Sequence, residues 1–547
     1  MRSLFFLCAL STFCFGQQPI IYYRGTVNGA SFAPFGLPNA PIARGSVFTV
    51  FGENLGPVES PALAFPLSTT LSGVALTITQ SGVNISAYPI FVSPGQINAI
   101  MPSTVKGGLA TLRLTYKNNK SNAATIQISD AAPGIFAVSN GGYGPGIVYN
   151  YISEGNQPIN SSVAAASPGQ VITIWGTGLG PVTFPDNVAP TAGNVTTPVS
   201  VAIGGQRAAL AYAGRSSCCA GIDQVVATVP ANAPLGCWVP VTINAGGWVS
   251  NTVTMAIAAK GAASCSDPGN PLSAMVRTPG TQALVDFERV DSIENVNTSP
   301  PILKTADKLY TRFFTRPNSP FNFDPYMSYP PPGTCLVHQS SGDPYYNKEL
   351  RGALPASASL NPQPKFSYSD GTNAAAYAPT GAFFSSTLGA TLNTIAQGFF
   401  KLAGNGANLT VDPGGPNQTV LALSPEPAST WSRPQGIIEI ARNMPLPVTF
   451  TPGDSAAPTV ILIYAYSAAT NSTVEVECLA PVGAAAFTIP AESLVNLPQS
   501  YKKIDGSYAN LVIGTLGLNK TSSFTNALAQ QGIVLTSSWV GQSVVFP

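Results

Sequence analysis

The chain holds a single histidine, His338, and that scarcity narrows its chemistry at once. A metalloprotease of the HExxH kind needs two histidines and a His-rich metal site needs more. A Ser-His-Asp relay would have to run through His338, and no GxSxG turn is present to offer the serine. Close to Cys335 on a turn-flanked strand, His338 reads as a structural or surface residue. Glycoside hydrolysis asks only for two carboxylates, roughly 5 to 9.5 Å apart. Glu475 and Glu477 are spaced for this, because positions two apart on a strand face the same way, although such pairs are also common on solvated strands. No GxxxxGK occurs, nor a GxGxxG after a strand, so phosphate-cradling loops are not expected. Asp412-Pro-Gly-Gly-Pro and Asp267-Pro-Gly-Asn-Pro lack the alternating oxygen ligands of a calcium loop and read as turns. The expectation is no catalytic residue, no cofactor and no metal.

Cysteine is the other reactive residue. Setting aside Cys8 and Cys14 near the start leaves Cys218, Cys219, Cys237, Cys265, Cys335 and Cys478. Four fall within a 48-residue window and two stand far apart, which predicts two bridges in one domain and one in another. Metal is the weaker alternative. No CxxC spacing occurs, and adjacent Cys218 and Cys219 cannot easily aim both sulfurs at one tetrahedral ion.

The first residues carry an export signal. Met1-Arg2 is positive, Leu4 to Phe15 is nearly all apolar, and Cys14-Phe15-Gly16 places small residues before a cleavage point after Gly16. Residues 1–16 are thus expected to be removed. The run is shorter than the about 20 residues that span a bilayer, no later run is longer, and neither early cysteine sits in a convincing lipobox. A secreted or cell-surface location follows. Lys and Arg number 25 against 24 acidic residues, a net charge of +1, which argues against nucleic-acid binding, where clustered basic residues must displace counterions. The densest basic stretch, Lys106, Arg113, Lys117 and Lys120, reads as a solvated hairpin. With 52 glycines, 50 prolines and 45% hydrophobic residues, the composition suits short strands joined by frequent turns rather than disorder.

These strands are organised by an internal repeat. Gly45 to Val58 matches Gly169 to Val182 at 8 of 14 positions with an offset of 124. Tyr88 pairs with Tyr212 at that offset. After a four-residue insertion holding Cys218-Cys219, Gln96-Ile97 aligns with Gln224-Val225 and Pro102 with Pro230, and Ser121-Asn122 aligns with Ser250-Asn251. The inserted pair is expected to tie its loop to Cys237 and Cys265. Val47 to Phe51 and Val171 to Trp175 are β-branched and aromatic runs ended by glycine, as in a buried strand. About seven strands per 100 residues predict a sandwich. The strand followed by Gly-x-x-Leu-Gly-Pro resembles the opening of an IPT/TIG domain. More closely, Val27 to Phe32, Gly176 to Pro181, Gly214 to Gln224 and Gly236 to Val241 resemble the Solibacter-type family of secreted acidobacterial proteins with tandem IPT/TIG-like, immunoglobulin-fold domains. The resemblance covers roughly residues 25–268. It implies fold and compartment, and no activity.

The expected organisation is all-β: signal peptide 1–16, a first sandwich 25–131, a linker 132–159, a second sandwich with disulfides 160–262, a β-rich domain 275–430 and a sandwich-like domain 431–547. In the last two, Leu284 to Arg289, Val460 to Tyr466, Val474 to Cys478, Leu511 to Gly514 and Ile533 to Thr536 read as strands, while Thr305 to Arg316 and Phe524 to Gln531 read as short helices. Cys335 and Cys478 are expected to staple this half, joining two sub-sandwiches near residue 430. Tyr143, Tyr149, Tyr151, Trp238 and Trp248, with Tyr326, Tyr329, Tyr345 and Tyr346, are candidates for stacking on pyranose rings. The expected function is non-catalytic binding of an extracellular protein or polysaccharide. Its alternatives are a glycan-active hydrolase using residues in 275–547 and a structural spacer.

Overall fold

The computed structural model describes residues 18–294 (except 59), 302–342, 438–500, 506–518, 521–525 and 529–547. It also describes the segments 366–369, 374–377, 383–388, 408–411, 419–422 and 430–431. The expected signal segment, Asp412-Pro-Gly-Gly-Pro and Tyr345-Tyr346 lie outside these residues. Strands dominate, with two short helices, Pro271–Arg277 and Ala491–Leu494, among the described residues, so the chain is all-β.

The first sandwich packs a sheet of Ile20–Asn28, Val47–Glu53, Gln96–Ile100 and Tyr88–Val92 against one that includes Ala124–Ser129, Gly108–Tyr116 and Val74–Gln80. Alternation drives this. Val74, Leu76 and Ile78 are fully buried at every second position and, with Leu112 of the neighbouring strand, meet Phe48, Val50 and Ile97 from the facing sheet. The second sandwich repeats the plan around Val171–Thr177, Asp223–Thr228 and Gly236–Ala245. The aligned Ser-Asn dipeptides make the same bonds in both copies. The Ser121 hydroxyl accepts from Leu114 N and donates to Asn122 O, and that of Ser250 accepts from Ile243 N and donates to Asn251 O. The Asn122 amide exchanges two bonds with the backbone of Ile21, and Asn251 does the same with Ile135.

That equivalence corrects the expected linker. Ile21 lies opposite Gly52 and Ile135 opposite Gly176, while Val27 lies opposite Thr49 and Tyr149 opposite Thr173. All four positions keep the offset of 124 on the central strand. Residues 132–159 therefore supply the first strand of the second sandwich, in two pieces, Gly134–Ile135 and Val148–Asn150. Where the first copy interrupts this strand by Tyr22 to Gly25, the second interrupts it by residues 136–147.

The remaining half is built on a ten-stranded sheet that includes, in spatial order, Thr334–Ser341, Ser472–Ala480, Thr459–Ser467, Tyr508–Leu516, Gln531–Val545, Gly280–Glu294, Ile302–Arg316 and Phe383–Leu388. It draws strands from both sides of residue 430, so the expected boundary there runs through one sheet. Cys335 and Cys478 are directly opposed on neighbouring strands of that sheet and are bonded to each other; they staple a ladder rather than two sub-sandwiches. Thr305 to Arg316 is strand, not helix. It belongs to Ile302–Arg316, which pairs with Gly280–Glu294 over fifteen residues, and Phe313 and Phe314, adjacent and both 1% exposed, point to opposite faces of the sheet as successive strand residues do. Phe524 is likewise in a strand, lying opposite Gly532. One sheet face holds Val337, Ile461, Val476, Ile513 and Phe546 in a core with Leu494 and Leu497. The other packs Leu462, Leu516, Leu535 and Trp539 against the helix Pro271–Arg277 and Trp238 of the second sandwich.

Candidate ligand-binding surface

The five candidate aromatics separate into three environments. Trp238 is 2% exposed inside the core that joins the second sandwich to the large sheet, beside the Cys237–Cys265 bridge, so it is not available for stacking. Trp248 is half-buried against the core of its own sandwich. Tyr143 lies in the interruption at 136–147, its ring 6.2 Å from that of Phe323, whose other neighbour is His338 at 5.8 Å. It belongs to the junction with the large sheet. Tyr326 and Tyr329 fall in the same junction core.

Tyr149 and Tyr151 share a sheet face. On Val171–Thr177, Ile172 and Ile174 point into the sandwich core, which turns Val171, Thr173 and Trp175 outward. Tyr149 is opposite Thr173 and sets its ring edge-on to Trp175 at 6.1 Å. Tyr151 N–H bonds Val171 O, and the side chain is 45% exposed beside Ile152 at 58%. On the next strands Val226 lies opposite Thr173, and Tyr212 opposite Val226, all half-exposed except the sheltered Thr173. The result is a strip of Tyr151, Tyr149 and Trp175 along the outer face of the second sandwich. Trp175 sits on the repeat motif itself; its aromatic character at a glycine-terminated strand was visible, but not the face it would take.

Glu475 and Glu477 do share a face, as their spacing requires, but the face is closed. They are 7% and 4% exposed, opposite His338 and Leu336 on one side and Tyr464 and Leu462 on the other. Burial pushes the phenol of Tyr329 well above its ordinary range, and the charges of Glu477, Asp286, Tyr464 and Glu475 add to the shift. Asp286 accepts a hydrogen bond from the Ser537 hydroxyl at 2.9 Å, and that hydroxyl accepts one from Trp539 Nε1 at 3.1 Å. Burial pushes Asp286 well above its ordinary value, with Glu288 adding to the shift and Ser537 opposing it. A group whose folded pKa is raised favours folding fully below its unfolded value near 3.8 and loses that contribution as pH rises through the folded value. Asp286→Asn, which keeps an acceptor for Ser537, is therefore expected to raise the melting temperature at pH 7 by about 1–2 °C, the shift of about 1 kcal/mol in a protein of this size. It should have little effect near pH 4. Thermal melts at the two pH values check the sign.

Among the described residues no three His, Cys, Asp or Glu side chains converge as a metal site, and no helix is long and apolar enough to cross a membrane. The structure bonds Cys218 to Cys219 and Cys237 to Cys265, so the inserted loop is closed on itself rather than tied to the later cysteines. That loop lines a small cavity with Gly45, Ile100, Asp186 and Arg215. Its interior of about 20 Å³ takes a water molecule and not a sugar ring.

No protein-family model matches the chain, and no curated protein does. Among solved structures, it is similar to the full extracellular region of plexin A4 at 15% identity and a TM-score of 0.16, over 44% of this chain and 18% of that one. It is similar to SGBP-B of the Bacteroides ovatus mixed-linkage glucan utilization locus, solved with a mixed-linkage heptasaccharide, at 14% identity and a TM-score of 0.19, over 64% and 63% of the two chains. It is also similar to a tetra-tandem repeat from the extending region of a large adhesion protein, at 13% identity and a TM-score of 0.13, over 93% and 97%. The chain thus spans less than two thirds of the first two of these proteins. Likenesses this distant are of all-β architecture alone.

Proposed function

We propose that this is a secreted, non-catalytic binding protein that takes an extracellular polysaccharide on the outer face of its second sandwich. The observation that carries the reading is the strip of Tyr151, Tyr149 and Trp175 on one sheet face. Aromatic faces offer large, rigid contact area at small entropic cost and suit the apolar faces of pyranose rings. The bridges at Cys237–Cys265 and Cys335–Cys478 accord with an oxidising compartment, as do the apolar leader and the likeness of Gly214 to Gln224 to the secreted acidobacterial family. The closed face around Glu475 and Glu477 weighs against the hydrolase reading, since neither carboxylate meets solvent enough to reach a glycan chain.

A glycan array on the full chain, followed by titration of the best glycan, tests this. Binding without release of reducing ends is expected, with Tyr151→Ala and Trp175→Ala each weakening it about tenfold, or 1.4 kcal/mol. Glu475→Gln should leave it unchanged. Turnover abolished by Glu475→Gln would establish the hydrolase instead, and no binding across the array would leave the spacer.

A further inference from the structure

We infer that the Cys218–Cys219 bridge is a reducible latch, open to small dithiols, which fixes the loop that seats the second sandwich on the first. The loop is the hairpin turn Ser216 to Ile222, between strands Ala209–Arg215 and Asp223–Thr228. Its base is closed by the buried pair of Arg215 and Asp223, which lie directly opposite each other. Inside it, Ser216 N–H bonds Ile222 O, Ile222 N–H bonds Cys219 O and Cys218 N–H bonds Ser216 Oγ. The loop holds the four-residue insertion that distinguishes the second repeat, and it makes contact with the first. Gly221 O accepts from the Thr177 hydroxyl at 2.7 Å, whose oxygen accepts from Val47 N–H of the first sandwich at 2.9 Å. Arg215 Nη2 donates to Gly45 O at 2.7 Å. Gly221 has φ +72°, and a Cβ there would stand 2.9 Å from Val47 Cγ2 and 3.0 Å from Ile100 Cγ1, so only glycine allows this approach.

Access separates this bridge from the others. Cys218 and Cys219 are both exposed, whereas Cys237, Cys265, Cys335 and Cys478 are 0 to 6% exposed. Thiol–disulfide exchange requires a thiolate to reach sulfur. One thiolate of a dithiol attacks one of the two Sγ atoms, the Cys218–Cys219 bond breaks, and the departing sulfur leaves as a thiolate that takes up a proton. The dithiol's second thiolate then displaces the other cysteine from the mixed disulfide. Two electrons pass to the protein, and the dithiol leaves as a cyclic disulfide. Opening the small ring restores backbone freedom to the two cysteines and loosens the turn that carries Gly221 O.

The test treats the native full chain with dithiothreitol, alkylates it, maps the labels by mass spectrometry, and follows amide hydrogen exchange at Val47. Label is expected at Cys218 and Cys219 before any of the other four, with exchange at Val47 about tenfold faster or more. Cys218→Ser with Cys219→Ser should show the faster exchange without reductant and no response to it. Gly221→Ala, which keeps the bridge, should also speed exchange at Val47 by displacing the loop. Simultaneous labelling of all six disulfide-bonded cysteines overturns the latch, as does unchanged exchange at Val47 once Cys218 and Cys219 are labelled.

Discussion

Asp324→Ala is expected to destabilise the protein by about 3–5 kcal/mol, the cost of stripping the partner from buried charges. Asp324 is wholly enclosed and receives both Arg312 Nη2 at 2.6 Å and Arg316 Nη2 at 2.8 Å. Those guanidiniums come from Ile302–Arg316 and are 10% and 2% exposed, each against the ring of Phe314. The carboxylate also orders its own segment, accepting from Tyr326 N–H, while Asp324 N–H bonds Ser328 Oγ. Burial pushes its pKa up, but the two arginines outweigh that and hold it below the ordinary value. Its contribution is therefore present above the unfolded pKa of about 3.8 and lost as pH falls through the lower folded value. Denaturant melts should show the variant's deficit at pH 7 shrinking below pH 3, and Asp324→Asn, which retains the acceptor but not the charge, should lose nearly as much. A deficit below 1 kcal/mol would mean that the arginines find other partners.

Arg215→Ala is expected to cost a similar amount, about 3–5 kcal/mol, because it leaves Asp223 buried without its counter-charge. Burial pushes Asp223 above its ordinary value even with Arg215 beside it, although Arg215 and the bond from Leu179 N–H pull it down. The pair thus does not recover its full desolvation cost. Adding Asp223→Asn to Arg215→Ala should return a large part of the loss, since the second change removes the uncompensated charge. Chemical denaturation of the two single variants and the double closes the cycle. A double variant as weak as the sum of the singles would assign the loss to the contacts of Arg215 with Gly45 O and Gly180 O.

The duplicated core was readable because a buried strand ended by glycine leaves a dense local signature, and Val47–Glu53 and Val171–Thr177 hold it 124 residues apart. The first strand of the second copy was not readable. Its pieces of two and three residues are too short for period-two alternation to register, and its closing contact, Asn251 to Ile135, spans 116 residues. The helix Pro271–Arg277 was not read: Asn270 caps it and Leu272, Met275 and Val276 are buried, but seven residues amid turn formers are too few for helical spacing to stand out. In Ile302–Arg316 the spacing of Leu309 and Phe313 mimics a helix, and the ladder to Gly280–Glu294 overrides it. For the candidate surface, aromatic identity was plain in the sequence. Trp238 and Tyr151 have the same prospects there, and only packing puts one in a core and the other in water.

The two interruptions of the first strand have a mechanical consequence. Arg24, in the first, donates to Ala469 O at the far turn of the large sheet, and Tyr143, in the second, rests on Phe323. Asn39 and Gln339 add a reciprocal amide pair. Each sandwich is thus moored separately to the same body as well as to its neighbour, so the three form a closed truss. Under tension the two sandwiches, within the described residues, cannot swing away from the large sheet one at a time, and they should hold until several moorings part together.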